Sequence, residues 1–168
     1  MNEKPKYDNK KQQFKGKGFY GDPTSHEKII YDSLRQEGAS HVIASAIVGN
    51  LKHETGNFQF VEETKPNKHG EYGLGLLQWS QDRGTKFRNW LAKNNKDPRD
   101  LIHNVEFMIK ELREGAAWTK GMNWEKFNKI DDVNKAVEVF ADTYLRPKIT
   151  KTGKRSGLKE RLSYAQNF

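Results

Sequence analysis

The chain has 168 residues and a mass of 19.5 kDa, which is room for one compact domain and not for two, so any activity has to fit on one small scaffold. Hydrophobic residues make up 34% and charged residues 31%, a polar globular composition, and the absence of Cys excludes structural disulfides, iron–sulfur clusters and Cys-type zinc sites. The net charge of +8 is confined to the ends: residues 1–20 hold six Lys against two acids, residues 147–161 hold six basic residues against one acid, and residues 21–146 are close to neutral.

Basic ends on a neutral body predict attraction to a polyanion, with the chemistry housed elsewhere. No apolar run approaches the roughly 18 residues of a membrane span, so no membrane insertion is expected. The N-terminal stretch has a basic start without the apolar run of a signal peptide, and delivery outside a cell is expected to depend on something else.

From Met1 to Gly21 Lys, Gln, Asn and Gly dominate, which predicts a flexible basic leader ahead of a domain spanning residues 22–168. Thr24-Ser25-His26-Glu27 has the form of a capping box before Ile29, Ile30 and Leu34, predicting a first helix over about 24–37 that closes at Gly38. Ser40 can cap a second helix, in which Val42, Ile43, Ala46, Ile47 and Leu51 form an apolar stripe and Gly56-Asn57 supplies the stop. Residues 58–79 change character. Phe58-Gln59-Phe60-Val61 alternates like a strand, residues 65–70 are turn chemistry, and Tyr72 to Trp79 is a Gly-rich apolar run, together predicting a small β-hairpin lobe. Helical periodicity resumes over about 81–94, 98–114 and 132–145, with a short terminal helix over 157–166. The expected fold is α+β and mainly α, with one β insertion after the second helix.

Two motif matches carry no chemistry. Gly16-Lys17-Gly18-Phe19-Tyr20-Gly21 fits G-x-G-x-x-G, but no buried strand leads in and Asp22-Pro23 leads out, so no helix N-terminus is aimed at a pyrophosphate. His53-Glu54 lacks the second His one turn later that a zinc protease needs, and His26, His41, His69 and His103 have no ligand spacing; no metal and no cofactor is expected. Against nucleic acid as a partner, no reader motif is present and the aromatics lie away from the basic ends.

Glu54 is the carboxylate that stands out. Positions 47, 51 and 54 fall on one helical face, so Glu54 projects from the same side as Ile47 and Leu51 and is expected to be partly desolvated, which raises a carboxyl pKa toward that of a proton donor. Downstream, Tyr72 and the run Gly73-Leu74-Gly75-Leu76-Leu77-Gln78-Trp79 combine approachable backbone, an amide and an indole, a set suited to a sugar with its hydroxyls and apolar ring faces.

Together these residues resemble a known family. Gly49-Asn50-Leu51-Lys52-His53-Glu54-Thr55-Gly56, then Tyr72-Gly73 through Gly75-Leu76-Leu77-Gln78-Trp79, then Phe140-Ala141-Asp142-Thr143-Tyr144-Leu145-Arg146-Pro147, with Arg161 and Ala165 near the end, resemble the phage tail lysozyme family of the lysozyme-like superfamily. The order is also similar to soluble lytic transglycosylases and goose-type lysozymes. Carried over by position, the resemblance implies that Glu54 is the general acid, that Gln78 and Trp79 lie in the cleft beside the saccharide, that Tyr144 lies near Glu54, and that Arg161 is structural; the expected substrate-binding residues are Tyr72, Gln78, Trp79 and Tyr144. The chain departs from the commonest pattern in Lys52-His53 before the Glu and in having both Gly73 and Gly75.

Glycoside hydrolysis usually takes two carboxylates. The lobe offers Glu62, Glu63 and Glu71, with Asp82 beyond, and Glu63 and Glu71 are the candidate partners of Glu54. In the resembling families the second carboxylate is variable and the substrate's own N-acetyl group can assist. The expectation is a peptidoglycan muramidase of a bacteriophage, virion- or tail-associated, with bacterial peptidoglycan and other phage tail proteins as partners. A lytic transglycosylase or an endolysin of the same fold is the alternative within the class, and a non-catalytic wall-binding or structural tail module the alternative outside it.

Overall fold

The computed structural model describes residues 6–56, 58–146 and 156–168. Asp22 opens the helical body: its side chain accepts from Thr24 N at 3.0 Å, and a 3₁₀ turn at Pro23–Ser25 leads into α1 (His26–Gln36). The expected capping box does not form, because Pro23 fixes the backbone so that Asp22 takes the free amide and Ser25 makes no capping bond. Ile30 and Leu34, four apart, are fully buried.

Helix α2 (His41–Glu54) starts as predicted, with Ser40 accepting from Ile43 N at 3.1 Å. It is buried on every face from Ile43 to Leu51, Ser45, Gly49 and Asn50 included, so it is the central rod of the domain rather than a surface helix with one apolar stripe. The helices that follow are α3 (Gln81–Lys93), α4 (Leu101–Glu114), α5 (Trp124–Asn128), α6 (Val133–Phe140) and α7 (Leu158–Gln166), and α1, α6 and α7 pack directly on α2. Helix α5 was not expected: five residues are too few for a periodic signal, although Asn123 caps it by accepting from Lys126 N. The predicted helix over 132–145 is divided, with α6 passing into a π-helical turn at Ala141–Leu145 that ends on Arg146 in the left-handed region.

Helices α2 and α7 cross in contact at Gly49. A Cβ there would stand 2.7 Å from Ala165 N and 2.8 Å from Arg161 O, so only glycine permits the approach. That approach sets Arg161, one turn before Ala165, beside Asn50 and Glu54 on the facing side of α2.

The lobe after α2 differs from the expected β-hairpin. Among the described residues there is no strand, only isolated antiparallel bridges between Glu62 and Leu74 and between Leu74 and Trp79. The chain turns too tightly for a ladder: Gly73 lies against Gln78 O, and Gly75 (φ +85°) lies against Asn104 Oδ1, Phe87 and Trp79 at distances no Cβ could share. The fold is therefore mainly α with an irregular lobe.

The lobe also takes backbone partners from the segment before α1. Residues 6–21, which composition marks as a flexible leader, pack across the lobe and α3. Tyr72 N donates to Asn9 O at 2.8 Å, Val61 N donates to Lys17 O at 3.0 Å, and the Glu62 carboxylate accepts from Gln13 N and Phe14 N. Phe19 enters the core at 6% exposure. Polar composition hid this because Tyr7, Phe14 and Phe19, which pack in or against the core, follow no helical or strand period, and the rest of the segment docks through backbone and side-chain hydrogen bonds.

Candidate active site

Glu54 ends α2 at the mouth of a groove between the lobe and the helices. Two adjoining recesses meet there, of about 470 and 310 Å³, and Glu54, Glu63 and Gln78 line both. The apolar surroundings expected for Glu54 are not what the structure supplies. Its side chain is 33% exposed, and Oε1 accepts from Arg161 Nη2 at 2.6 Å. Arg161 is itself 1% exposed, and donates also to Asn50 Oδ1 at 3.1 Å and Ser156 O at 2.9 Å. Arg161 is thus more than structural filler, because a buried guanidinium held at three points orients the carboxylate of Glu54.

Glu63 faces the same groove from the lobe and is half-buried. Desolvation pushes its carboxyl above the usual carboxylate range, and the Gly73 N–H pulls the other way without cancelling the effect. Glu62, one residue earlier, also borders the outer recess, but its carboxylate is 3% exposed and committed to the Gln13 and Phe14 amides. The structure does not bring Glu71 to Glu54 and Glu63: it is buried in another recess, where Asn9 Nδ2 donates to its Oε2 at 2.8 Å. Asp82 lies in the first turn of α3 and lines neither recess of the groove.

Gln78 adopts φ +50°, unusual for a residue with a side chain, and its amide Nε2 donates to Gly75 O at 3.0 Å. One amide hydrogen and the side-chain carbonyl are left toward the groove. Trp79 and Tyr144 are placed elsewhere. Trp79 is 1% exposed and packs on Phe87 and Phe107, while Tyr144 is fully buried against Phe140 and Trp118. Tyr72 lines neither recess and uses its backbone to hold Asn9 and Arg88. The aromatic in the groove is Phe60, 43% exposed beside Glu54 and Glu63.

Trp79 and Tyr144 meet at a residue the sequence reading passed over. Glu111, on α4, accepts from Tyr144 Oη at 2.5 Å, from Trp79 Nε1 at 3.3 Å, and from Arg83 Nε and Nη2 at 2.8 and 2.6 Å. Burial works against its charge, but the Arg83 hydrogen bonds and charge, with the Tyr144 and Trp79 protons, hold its carboxyl below the usual range. Tyr144 is driven well above its ordinary value by burial and by Glu111, so its phenol stays a proton donor. Arg83 passes this order on to the groove, whose inner recess it lines with Leu76, Leu77 and Leu145. The periodicity argument that singled out Glu54 applies equally here: Glu111 stands four residues after Phe107 and three after Met108, both buried.

Among the described residues no group of three or more His, Cys, Asp or Glu is placed to hold a metal ion, and no helix is long and apolar enough to cross a membrane. What the groove presents is two carboxyls in different surroundings, an amide, an exposed ring and a braced guanidinium. Residues 25–168 match the family model described as Phage tail lysozyme. A comparison with curated proteins returns no match. Since the match takes in every helix from α1 to α7 and the lobe that walls the groove, the chain belongs to the phage tail lysozyme family and is a phage lysozyme-like cell-wall hydrolase.

Proposed function

We propose that the chain is a muramidase that cuts the β-linkage between N-acetylmuramic acid and N-acetylglucosamine, acting from the virion to help the phage through the host wall. The observation that carries the reading is the convergence of Glu54, Glu63 and Gln78 on one groove inside the family-matched segment. Glu54, aimed by Arg161, protonates the leaving oxygen. Glu63 faces it as the carboxyl that stabilises the cation-like sugar or activates water. Gln78 offers both hydrogen-bonding polarities to sugar hydroxyls or the N-acetyl group, and Phe60 offers a ring for a sugar face.

Glu54→Gln keeps the shape and removes the proton, so wall clearing should fall by about 10² or more. Near-normal clearing by that variant sinks the assignment, and binding without loss of turbidity by the wild type favours a wall-binding module. Product mass separates hydrolysis from transglycosylation, since an anhydromuramic end is one water lighter.

One observation favours a second reading in which the two carboxyls exchange roles. Glu63 is the group whose desolvation favours the protonated form, whereas Glu54 is the carboxyl that the Arg161 guanidinium already holds by a 2.6 Å hydrogen bond. An aryl glycoside needs no protonation of its leaving group. Rescue of Glu54→Gln by such a substrate identifies Glu54 as the acid, and rescue of Glu63→Gln alone identifies Glu63.

A further inference from the structure

On the far side of Arg83 from the groove lies a recess of about 490 Å³ between α3, α4 and the π-helical turn, and the reaction proposed above makes no use of it. Its floor is apolar, formed by Trp90, Phe107, Ala116 and Ala117. Its rim is charged, and the charges do not cancel. The two acids of the lining are each neutralised by a cation of the same lining, Glu111 by Arg83 and Glu114 by Lys110. Lys86 and Arg146 remain, and neither has an ion pair or a side-chain hydrogen bond among the described residues.

The backbone puts one of these two charges there by an uncommon route. The π-helical turn Ala141–Leu145 ends with Arg146 at φ 51°, ψ 55°, its N–H donating to Ala141 O at 2.6 Å. An L-residue with a long side chain in the left-handed region costs about 1 kcal/mol or more relative to ordinary helical backbone, so this turn holds Arg146 at the rim against local preference.

We infer that this recess is a carboxylate-recognising subsite for the peptide stem of peptidoglycan, with the stem's carboxylates on Lys86 and Arg146 and its alanine methyl groups against Trp90 and Phe107. The inference deepens the cell-wall reading and rests on it. The chemistry matches on both counts. A stem peptide combines free carboxylates with small apolar side chains, and the recess combines two uncompensated cations with an aromatic floor. The place matches as well, because stems hang from alternate sugars of the glycan. A strand lying across Glu54 and Glu63 has a stem within reach of a recess that shares Arg83 as a wall with the groove.

The test is a binding measurement that needs no cleavage. N-acetylglucosaminyl-N-acetylmuramic acid lacks the bond a muramidase cuts, and can be compared without a peptide, with its tetrapeptide stem, and with that stem's carboxylates converted to carboxamides. The wild type should bind the tetrapeptide form about tenfold more tightly than the other two, as expected for two modestly screened ion pairs, with the advantage shrinking as salt rises. The double variant Lys86→Met, Arg146→Asn should bind the tetrapeptide form and its carboxamide alike, since it removes both cations and leaves Trp90 and Phe107 in place. Asn tolerates the left-handed backbone and both positions are exposed, so the variant keeps its fold.

Equal binding of the three forms by the wild type, or an undiminished preference in the double variant, overturns the subsite. A preference abolished equally by inorganic phosphate and by chloride at matched ionic strength supports ion pairing. Displacement by phosphate far below that ionic strength would make the recess a phosphate site and overturn the assignment to peptide. If the wild type discriminates the three forms yet clears no wall, the muramidase reading fails while the subsite stands. If it clears walls and discriminates nothing, the reverse holds.

Discussion

Arg161 of α7 donates to Glu54 of α2 at 2.6 Å across 107 residues of sequence, and it does so from a buried position. The proposed catalytic carboxyl is therefore oriented by the last helix of the chain. The contact exists because Gly49 lets the two helices close to a distance that no side chain at that position would permit. A groove carboxylate held in this way keeps a single direction when substrate arrives, and less ordering has to occur during the reaction.

The first prediction concerns that contact. Arg161→Met removes three donated hydrogen bonds and leaves Asn50 Oδ1 buried without its partner, which should cost about 2–3 kcal/mol of stability by thermal melting. Arg161→Lys keeps the charge and loses the fork, so its melting temperature should recover more than its activity. A kcat restored to wild type by Lys would show that charge alone suffices and that orientation by the fork plays no part.

Phe60 supplies the second. It is exposed in the groove while Trp79 is buried, so Phe60→Ala should raise KM for glycan fragments about threefold to tenfold with little change in melting temperature. Unchanged KM would mean that the ring faces solvent without touching sugar.

Glu63 leads to a pH-dependent effect. Its folded-state pKa is raised, so its contribution favours the fold below the ordinary carboxylate range and is lost as pH rises through the folded value. Above the folded value the ionised group burdens the lobe. Glu63→Gln should therefore melt at least as high as wild type at pH 7 and lose that relative advantage at pH 4, while cleavage of wall polymer falls by about 10². A variant less stable than wild type at pH 7 by the same margin as at pH 4 contradicts the desolvation of this carboxyl.

The Glu111 cluster has the opposite sign. Its pKa is lowered in the folded state, so the stability it contributes is present above the ordinary value of 4.5 and is lost as pH falls through the folded value. Glu111→Gln should flatten the acid-unfolding curve below about pH 4.5 and, because Arg83 and Tyr144 lose a charged acceptor, lower stability at pH 7 by about 2 kcal/mol. Tyr144→Phe should lower the melting temperature and leave KM unchanged, as its hydroxyl reaches Glu111 and not the groove. A raised KM would return Tyr144 to the substrate side.

The basic leader supplies the last. Lys10, Lys11, Lys15 and Lys17 are exposed, and none forms an ion pair among the described residues. Replacing all four with Gln should weaken attachment to purified walls at low salt, with cleavage of a small soluble fragment unchanged. Deleting residues 1–20 is a different experiment, since it removes Phe19 from the core and the Glu62 carboxylate's two amide donors and should destabilise the lobe.

Much of the frame was legible in the sequence because it rests on local rules. Ser40 capping α2, the spacing of Ile30 and Leu34, and the boundaries of α3 and α7 follow from short-range hydrogen bonds and periodic burial, which neighbours in sequence determine. The four short motifs likewise sufficed to point to the family. Periodicity can place Glu54 and Glu111 on inward faces of their helices, but it cannot say what waits there. Glu54 met a guanidinium and partial exposure, Glu111 met donors from three residues, and Glu71, the same residue type as Glu63 and in the same lobe, faces another recess. Trp79 and Tyr144 went to the core and Phe60 to the groove for the same reason. Residue type determines what a side chain can do with a proton, an anion or a sugar face. Which carboxyl is desolvated, which is paired and which ring is left in the open depends on contacts between residues far apart in the chain, 49 for Gln13 with Glu62 and 107 for Glu54 with Arg161, and those are decided only when α7 closes on Gly49 and residues 6–21 close on the lobe.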